Sequence, residues 1–179
     1  MLDHFKNDLK KYHQLFRSVR CKAEGLEELI FLSIKSEIDN VTWKPSAHDK
    51  EVDIIANNYK IQIKSGVIQN NKLSLSGHRL GRFNGELDQI TEYLNNPISD
   101  IISVSNPKTK TKNHIYEVRY IDKIKMKGII VENWINDGAN FKQINKHNIK
   151  FSLRPKMSWQ IWWEVPLDIT ELADKIVID

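Results

Sequence analysis

Alternating apolar and polar residues on both sides of Asn57-Asn58 predict a β-hairpin in the first half of the chain. The two asparagines tolerate positive φ angles, which suits a two-residue turn. In this register Asp53 faces Gln62. Because successive side chains point to opposite faces of a strand, the hairpin has an apolar face and a polar face. The apolar face is Val52, Ile54, Tyr59, Ile61 and Ile63, and the polar face is Glu51, Asp53, Lys60, Gln62 and Lys64.

Helical spacing of apolar residues predicts two helices before the hairpin, at 2–16 and 23–38, and one after it, at 86–95. In the second helix Glu27 lies closer to the apolar stripe than Glu28 does. A carboxylate at such a position is costly unless a cation or a metal ion pairs with it. The alternative is that both glutamates are ordinary surface residues.

Shorter apolar or alternating runs predict strands in the rest of the chain. These runs are 41–43, 98–104, 114–120, 149–154 and 159–165, of which the last two are expected to form a hairpin through 155–158. Ser65-Gly66 is expected to end the strand that carries Lys64. The three glycines of 76–85 predict a loop whose backbone bends closely around another group. The segment 138–148 is predicted to be open and polar.

The length of 179 residues and the hydrophobic content of 40% predict one globular domain over 1–179. No apolar run approaches the roughly 18 residues of a membrane span, and the first residues are charged, so we expect a cytoplasmic protein with no membrane segment. The single cysteine, Cys21, excludes an internal disulfide and a cysteine metal cluster.

The net charge of +4 favours the binding of polyanions only mildly, but the basic residues are unevenly distributed along the chain. Basic residues are frequent at 108–127 and 142–156, which predicts either a phosphate-facing surface or a solvated lysine face. Arginine and histidine in 76–85 suit phosphate or base-edge contacts, since arginine can bond O6 and N7 of guanine together; the alternative is a flexible polar loop. The predicted DNA-binding residues are Ser76, His78, Arg79, Arg82, Lys150, Arg154 and Lys156, with Gln143, Asn145, His147 and Asn148 as the alternative readers of sequence.

Three tryptophans, Trp159, Trp162 and Trp163, lie in the last predicted hairpin. They could stack on unpaired bases. Packing is the favoured interpretation, because a strand that crosses a small domain commonly buries an aromatic face.

Asp53 and Gln62 on neighbouring strands are close enough to share one cation, since facing Cβ atoms lie about 4.5 to 5.5 Å apart. Lys64 follows on the same face. Oxygen ligands suit Mg²⁺, whose bound waters can attack a phosphate. The alternative is a solvated sheet face on which Glu51 and Lys64 form an ordinary ion pair.

Asp53, an apolar strand and then Gln62-Ile63-Lys64-Ser65 resemble the core of the PD-(D/E)XK nuclease superfamily, which includes most type II restriction endonucleases. Two residues depart from the pattern, because Val52 stands in place of proline and Gln62 in place of an acid. The order of elements is also similar to that of small type II restriction endonucleases over most of the chain.

The resemblance implies an α/β (α+β) fold in which helices flank a central mixed β-sheet, with a β-rich basic C-terminal part. It implies Mg²⁺-dependent hydrolysis of double-stranded DNA by a homodimer at a short specific sequence. Asp53 would bind the metal, Gln62 would add a neutral oxygen, Lys64 would orient the attacking water, and Glu27 would be a helix-borne ligand. The superfamily also places DNA-contacting segments after the lysine strand. A Holliday-junction resolvase, an Mrr-like nuclease and a non-catalytic DNA-binding module of the same fold are the alternatives.

Overall fold

A computed structural model describes residues 2–17, 19, 21–43, 52–108 and 114–178. Glu51 and its predicted pairing with Lys64 lie outside the described residues, as do Lys110 and Lys112 of the basic segment. None of the helices in this described part has the length and apolar character needed to cross a bilayer.

The described chain folds into three α-helices and eleven β-strands. The helices are α1 (Leu2–Leu15), α2 (Ala23–Lys35) and α3 (Leu87–Asn95). The strands are β1 (Val41–Trp43), β2 (Ile54–Ala56), β3 (Tyr59–Gln69), β4 (Lys72–Arg79), β5 (Asp100–Pro107), β6 (His114–Ile121), β7 (Ile135–Asn136), β8 (Phe141–Ile144), β9 (Lys150–Arg154), β10 (Gln160–Pro166) and β11 (Glu171–Ile178).

All strands join one mixed sheet, as predicted. Its order is β11-β6-β5-β3-β4-β10-β9-β8-β7, and β2 pairs with β3 and β1 at a branch from this path. β3 and β5 run parallel, and the other pairs are antiparallel. The helix α3 lies in the connection from β4 to β5. This crossover lets β5 pair with β3 in the parallel direction.

Two hydrophobic cores cover the two faces of the sheet around β3. On one face α1 and α2 pack against Ile54, Ile63 and Tyr116. On the other face α3 packs into a core that includes Leu75 and Trp163. Each fully buried aliphatic side chain contributes about 1.5 to 3 kcal/mol, so burial on both faces holds β3 firmly at the centre of the sheet.

The central hairpin forms in the predicted register beside its turn. Ile54 faces Ile61 and Ala56 faces Tyr59, and Asn57 adopts a φ of +52°. The predicted apolar face is wrong at Tyr59, whose side chain is 69% exposed next to the turn.

The predicted break at Ser65-Gly66 is wrong, because β3 continues to Gln69 and pairs with β4 from Gly66 onward. A Cβ atom on Gly66 would lie 2.5 Å from the carbonyl oxygen of Ser74. The glycine therefore allows the two strand backbones to approach each other rather than ending a strand.

The predicted loop at 76–85 is also wrong in its first half, since Ser76–Arg79 belong to β4. A Cβ atom on Gly77 would collide with the Trp163 ring, and one on Gly85 would lie 2.5 Å from the Trp159 ring. At these two glycines the chain bends closely around tryptophan rings. Packing is confirmed for Trp163, which is 6% exposed, and Trp159 packs against the same core.

Two further corrections concern the C-terminal half. The segment predicted to be open contains β8, which pairs with β9, and the edge strand β11 was not predicted. Gln143 and Asn145 are buried, and both bond to the backbone of the segment 125–130. Their amides stabilise that segment, so they are not available as alternative readers of DNA sequence.

Candidate active site

The strand β3 has a gap along one edge. This edge pairs with β2 up to Ile61 and with β4 from Gly66, while the opposite edge pairs with β5 throughout this region. Residues 62–65 therefore lie at a fork between β2 and β4. Asp53 enters the fork, where its Oδ2 accepts a hydrogen bond of 2.7 Å from the Ile63 N–H.

Asp53 does not continue the ladder opposite Gln62 as predicted. The pairing ends at Ile54, and the Asp53 N–H donates to the carbonyl oxygen of Ile61 at 2.9 Å. The carboxylate satisfies a backbone donor that would otherwise lack a strand partner. Within the described part of the chain its second oxygen accepts no hydrogen bond.

Glu27 and Lys64 lie within electrostatic range of Asp53 at this fork. The pKa of Glu27 is raised to about 7, mainly by burial and then by the negative charge of Asp53, while the ammonium of Lys64 opposes the change. The structure thus brings together three of the predicted site residues, which come from α2, β3 and the segment before β2. Glu28, one position along α2, is exposed.

The other two charges at the fork are also perturbed. Burial raises the pKa of Asp53, while the hydrogen bond from Ile63 and the charge of Lys64 oppose this change. Burial lowers the pKa of Lys64, and the two carboxylates oppose that change. Perturbed pKa values that arise from burial together with specific charge partners are typical of functional sites.

Gln62 is 4% exposed and lies beside His78, with 3.5 Å between the two Nε2 atoms. Both residues line a pocket of about 40 Å³ together with Tyr93, Ser99 and Trp163. This pocket is on the α3 side of the sheet. The prediction that Gln62 binds the metal stays a prediction, and the structure adds His78 as its neighbour.

A β-bulge in β4 places His78 there. Arg79 faces Gln160 and Ser76 faces Trp162, so both Gly77 and His78 lie opposite Ile161. The extra residue turns His78 toward the α3 side, and such bulges often occur beside active sites. Sequence reasoning missed this contact, although a glycine inside a strand pattern is a known signal of a bulge.

The predicted DNA-binding residues divide between two surfaces. Ser76, Arg79, Lys150 and Arg154 lie on the sheet face away from Trp163, where Arg79, Gln160 and Arg154 form one row across β4, β10 and β9. The Arg154 guanidinium stacks 4.1 Å from the Trp162 ring. Lys150 forms an ion pair of 3.0 Å with Glu164, so its charge is partly neutralised.

The remaining predicted contacts lie elsewhere. Arg82 is exposed and packs 4.5 Å from the Tyr93 ring, on the same side as His78. Lys156 is exposed in the turn between β9 and β10.

No family model matches the chain, and no curated protein sequence matches it. The structure is similar to a solved structure described as a restriction endonuclease in complex with substrate DNA. The TM-score is 0.51 at 16% sequence identity, over 92% of this chain and 84% of the other. The chain has a restriction-endonuclease-like fold. This confirms the predicted fold class of a central mixed sheet with flanking helices.

Glu27 and Asp53 supply carboxylate oxygens that a divalent ion could use at the fork, and Gln62 stays the predicted third donor. An all-oxygen donor set suits Mg²⁺ rather than zinc. Within the described residues there is no cluster of three or more histidine, cysteine, aspartate or glutamate side chains that could hold a metal. A metal at the fork would therefore depend on the two carboxylates and on a third donor, for which the Gln62 oxygen is the prediction.

We expect Glu27→Gln to remove a pH dependence of stability. Between pH 4.5 and about 7 the folded chain keeps a proton on Glu27 that the unfolded chain has lost, so the free energy of unfolding falls as the pH rises. The full shift corresponds to about 3 kcal/mol, and solvent screening of this half-exposed group reduces the expected effect to about 1 to 2 kcal/mol. The variant should therefore be more stable than the wild type at pH 8 and equal to it near pH 4.5.

Urea unfolding at pH 5, 6, 7 and 8 in EDTA measures this difference. Glu28→Gln is the matched control, because Glu28 is exposed on the same helix and the change removes the same charge. Parallel curves for the wild type and Glu27→Gln would show that Glu27 titrates normally.

Proposed function

We propose that the protein is a Mg²⁺-dependent endonuclease that hydrolyses double-stranded DNA at a short specific sequence, as type II restriction endonucleases do. The observation that carries the proposal is the fork of β3, where Asp53 is held by the Ile63 N–H and the charges of Glu27 and Lys64 lie within electrostatic range. Its second support is the fold, which is shared with a restriction endonuclease solved with substrate DNA. In this proposal Mg²⁺ supplies a Lewis acid and lowers the pKa of a bound water.

Each side chain at the fork then has a role. Asp53 and Glu27 bind the ion through carboxylate oxygens, and Asp53 is already oriented by the Ile63 N–H. Gln62 adds a neutral oxygen. Lys64 holds the attacking water and stabilises the negative charge that develops on the phosphate. The raised pKa of Glu27 suits this role. It shows that two crowded carboxylates are costly without a cation, and a bound divalent cation would favour the charged forms of both.

The sheet face that carries Ser76, Arg79 and Arg154 is the proposed DNA-reading surface. On this face Arg79 and Arg154 lie on either side of Gln160. Arginine side chains bond guanine edges, and glutamine side chains bond adenine edges. We propose a homodimer in which each subunit cuts one strand, since a two-fold protein matches a palindromic site.

Digestion of DNA of known sequence in Mg²⁺, with EDTA as the control, tests the proposal. Discrete fragments support a sequence-specific endonuclease. Selective cutting of four-way junctions would instead show a resolvase. Retardation of DNA in a gel without cutting, in both Mg²⁺ and Mn²⁺, would show a non-catalytic binding module.

We expect Arg79→Ala to lose discrimination at one position of the site by about 1 to 3 kcal/mol, because base contacts carry specificity. Lys156→Ala should weaken binding to all sequences equally, as the loss of a phosphate contact does. The slope of the logarithm of the binding constant against the logarithm of the salt concentration should fall in magnitude by about one unit. Lys150→Ala should change the slope less, since Glu164 already pairs with Lys150.

Mobility shifts with the cognate site, a one-base variant and random DNA, repeated at several salt concentrations, separate these effects. Equal weakening of all three DNAs by Arg79→Ala would make Arg79 a phosphate contact.

A further inference from the structure

The roles proposed for the residues at the fork do not explain the contact between Gln62 and His78. Its two atoms are both nitrogens, the Nε2 of the amide and the Nε2 of the imidazole, 3.5 Å apart. An amide nitrogen has hydrogens and no free acceptor, so in this arrangement only Gln62 can donate and His78 must accept. The distance is at the long end of the hydrogen-bond range, and such contacts in active sites often shorten when a ligand binds.

The orientation of the Gln62 amide decides what Gln62 offers to a cation. With its nitrogen toward His78, the carbonyl oxygen is the free end of the amide. With the amide reversed, the NH₂ group would be the free end and could not bind a metal. A glutamate at this position would not have this problem, because its two oxygens are equivalent.

We propose that His78 is a positioning residue that fixes the Gln62 amide with its oxygen free for the metal. The proposal rests on the proposed function, in which Gln62 is a ligand. Residues behind metal ligands commonly orient them in this way, and their loss typically weakens metal affinity 10- to 100-fold. The β-bulge at Gly77-His78 supports the proposal, since without the extra residue His78 would point to the opposite face of the sheet.

The surroundings of His78 also suit a fixed ring. The ring packs edge-on against Tyr93, with 6.5 Å between centroids. Tyr93 has a buried hydroxyl with no hydrogen-bond partner within the described residues, so its hydroxyl does not hold the Gln62 amide. Tyr93→Phe is therefore a matched control within the same pocket.

A double-mutant cycle on metal binding by the full-length protein tests the proposal without using cleavage. Mn²⁺ affinity is measured by calorimetry for the wild type, His78→Phe, Gln62→Glu and the double variant. We expect His78→Phe to weaken Mn²⁺ binding about 10-fold when residue 62 is glutamine, because phenylalanine keeps the ring but cannot accept a hydrogen bond. In the Gln62→Glu background the same change should weaken binding less than about 2-fold, since a carboxylate needs no such orientation.

Two further variants sharpen the result. His78→Gln should restore most of the affinity, because its carbonyl oxygen can accept from the Gln62 amide, and Tyr93→Phe should leave the affinity unchanged. If His78→Phe does not fold, His78→Ala gives the same comparison. DNA cleavage in Mg²⁺ should follow the same order.

The outcomes separate this inference from the proposed function. Equal losses in both backgrounds, or no loss in either, would overturn the positioning role while leaving the nuclease proposal intact. A wild type that binds neither Mn²⁺ nor Mg²⁺ would overturn both. Loss of affinity with glutamine at position 62 but not with glutamate supports the role of His78.

Discussion

Asp53→Asn and Lys64→Ala are each expected to reduce DNA cleavage by at least about 100-fold, the usual effect of removing one group that stabilises a transition state. Asp53→Asn keeps an oxygen that can accept the hydrogen bond from Ile63, so the fork should stay folded while one negative charge is lost. Lys64→Ala removes the cationic side chain that, among the described residues, lowers the pKa values of Glu27 and Asp53. Binding of DNA should persist in both variants.

Initial cleavage rates in Mg²⁺, compared at equal folded content, measure the effect. Lys60→Ala is the matched control for Lys64, because Lys60 lies on the same strand and is exposed. Mobility shifts in Ca²⁺ separate binding from chemistry. More than a few per cent of wild-type cleavage in either variant would remove these residues from the proposed catalytic set.

Local signals in the sequence were enough to predict the hairpin around Asn57-Asn58. Its turn residues and its alternation lie within a dozen positions, and the register beside the turn is confirmed. The fork was not predictable in this way, because it exists only where β4 starts to pair with β3 at Gly66. That pairing involves a separate strand whose register no local pattern encodes.

The position of Glu27 could also be predicted, since a helical wheel identifies the carboxylate nearest to an apolar stripe. The structure confirms that Glu27 is more buried than Glu28. Its interaction with Asp53 and Lys64 required the packing of α2 against the sheet, which the wheel does not contain.

The glycines after Lys64 were misinterpreted for a related reason. Glycine in a sequence indicates that something comes close to the backbone, but it does not say what. At Gly77 the neighbour is the Trp163 ring, which is more than eighty residues away in the chain. Packing with such distant residues decided whether 76–79 formed a loop or a strand.

Gly66→Ala is expected to lower the free energy of unfolding by about 3 kcal/mol, at the upper end of the cost of overpacking. The added Cβ would lie 2.5 Å from the Ser74 carbonyl oxygen and 2.7 Å from Leu75 Cδ2. The leucine can change rotamer, but the carbonyl belongs to the paired strand, so β3 and β4 must separate at the point where the fork closes. Because Lys64 lies two residues away, cleavage should fall together with stability.

Urea unfolding measures the loss, which corresponds to a decrease in Tm of roughly 6 to 12 °C for a chain of this size. Gly81→Ala is the matched control, since its Cβ would meet no atom closer than 3.4 Å, and it should change stability by less than about 0.5 kcal/mol. A Gly66→Ala variant as stable as Gly81→Ala would mean that β3 and β4 do not depend on this close approach. The fork would then be maintained by the hydrogen bond of Asp53 alone.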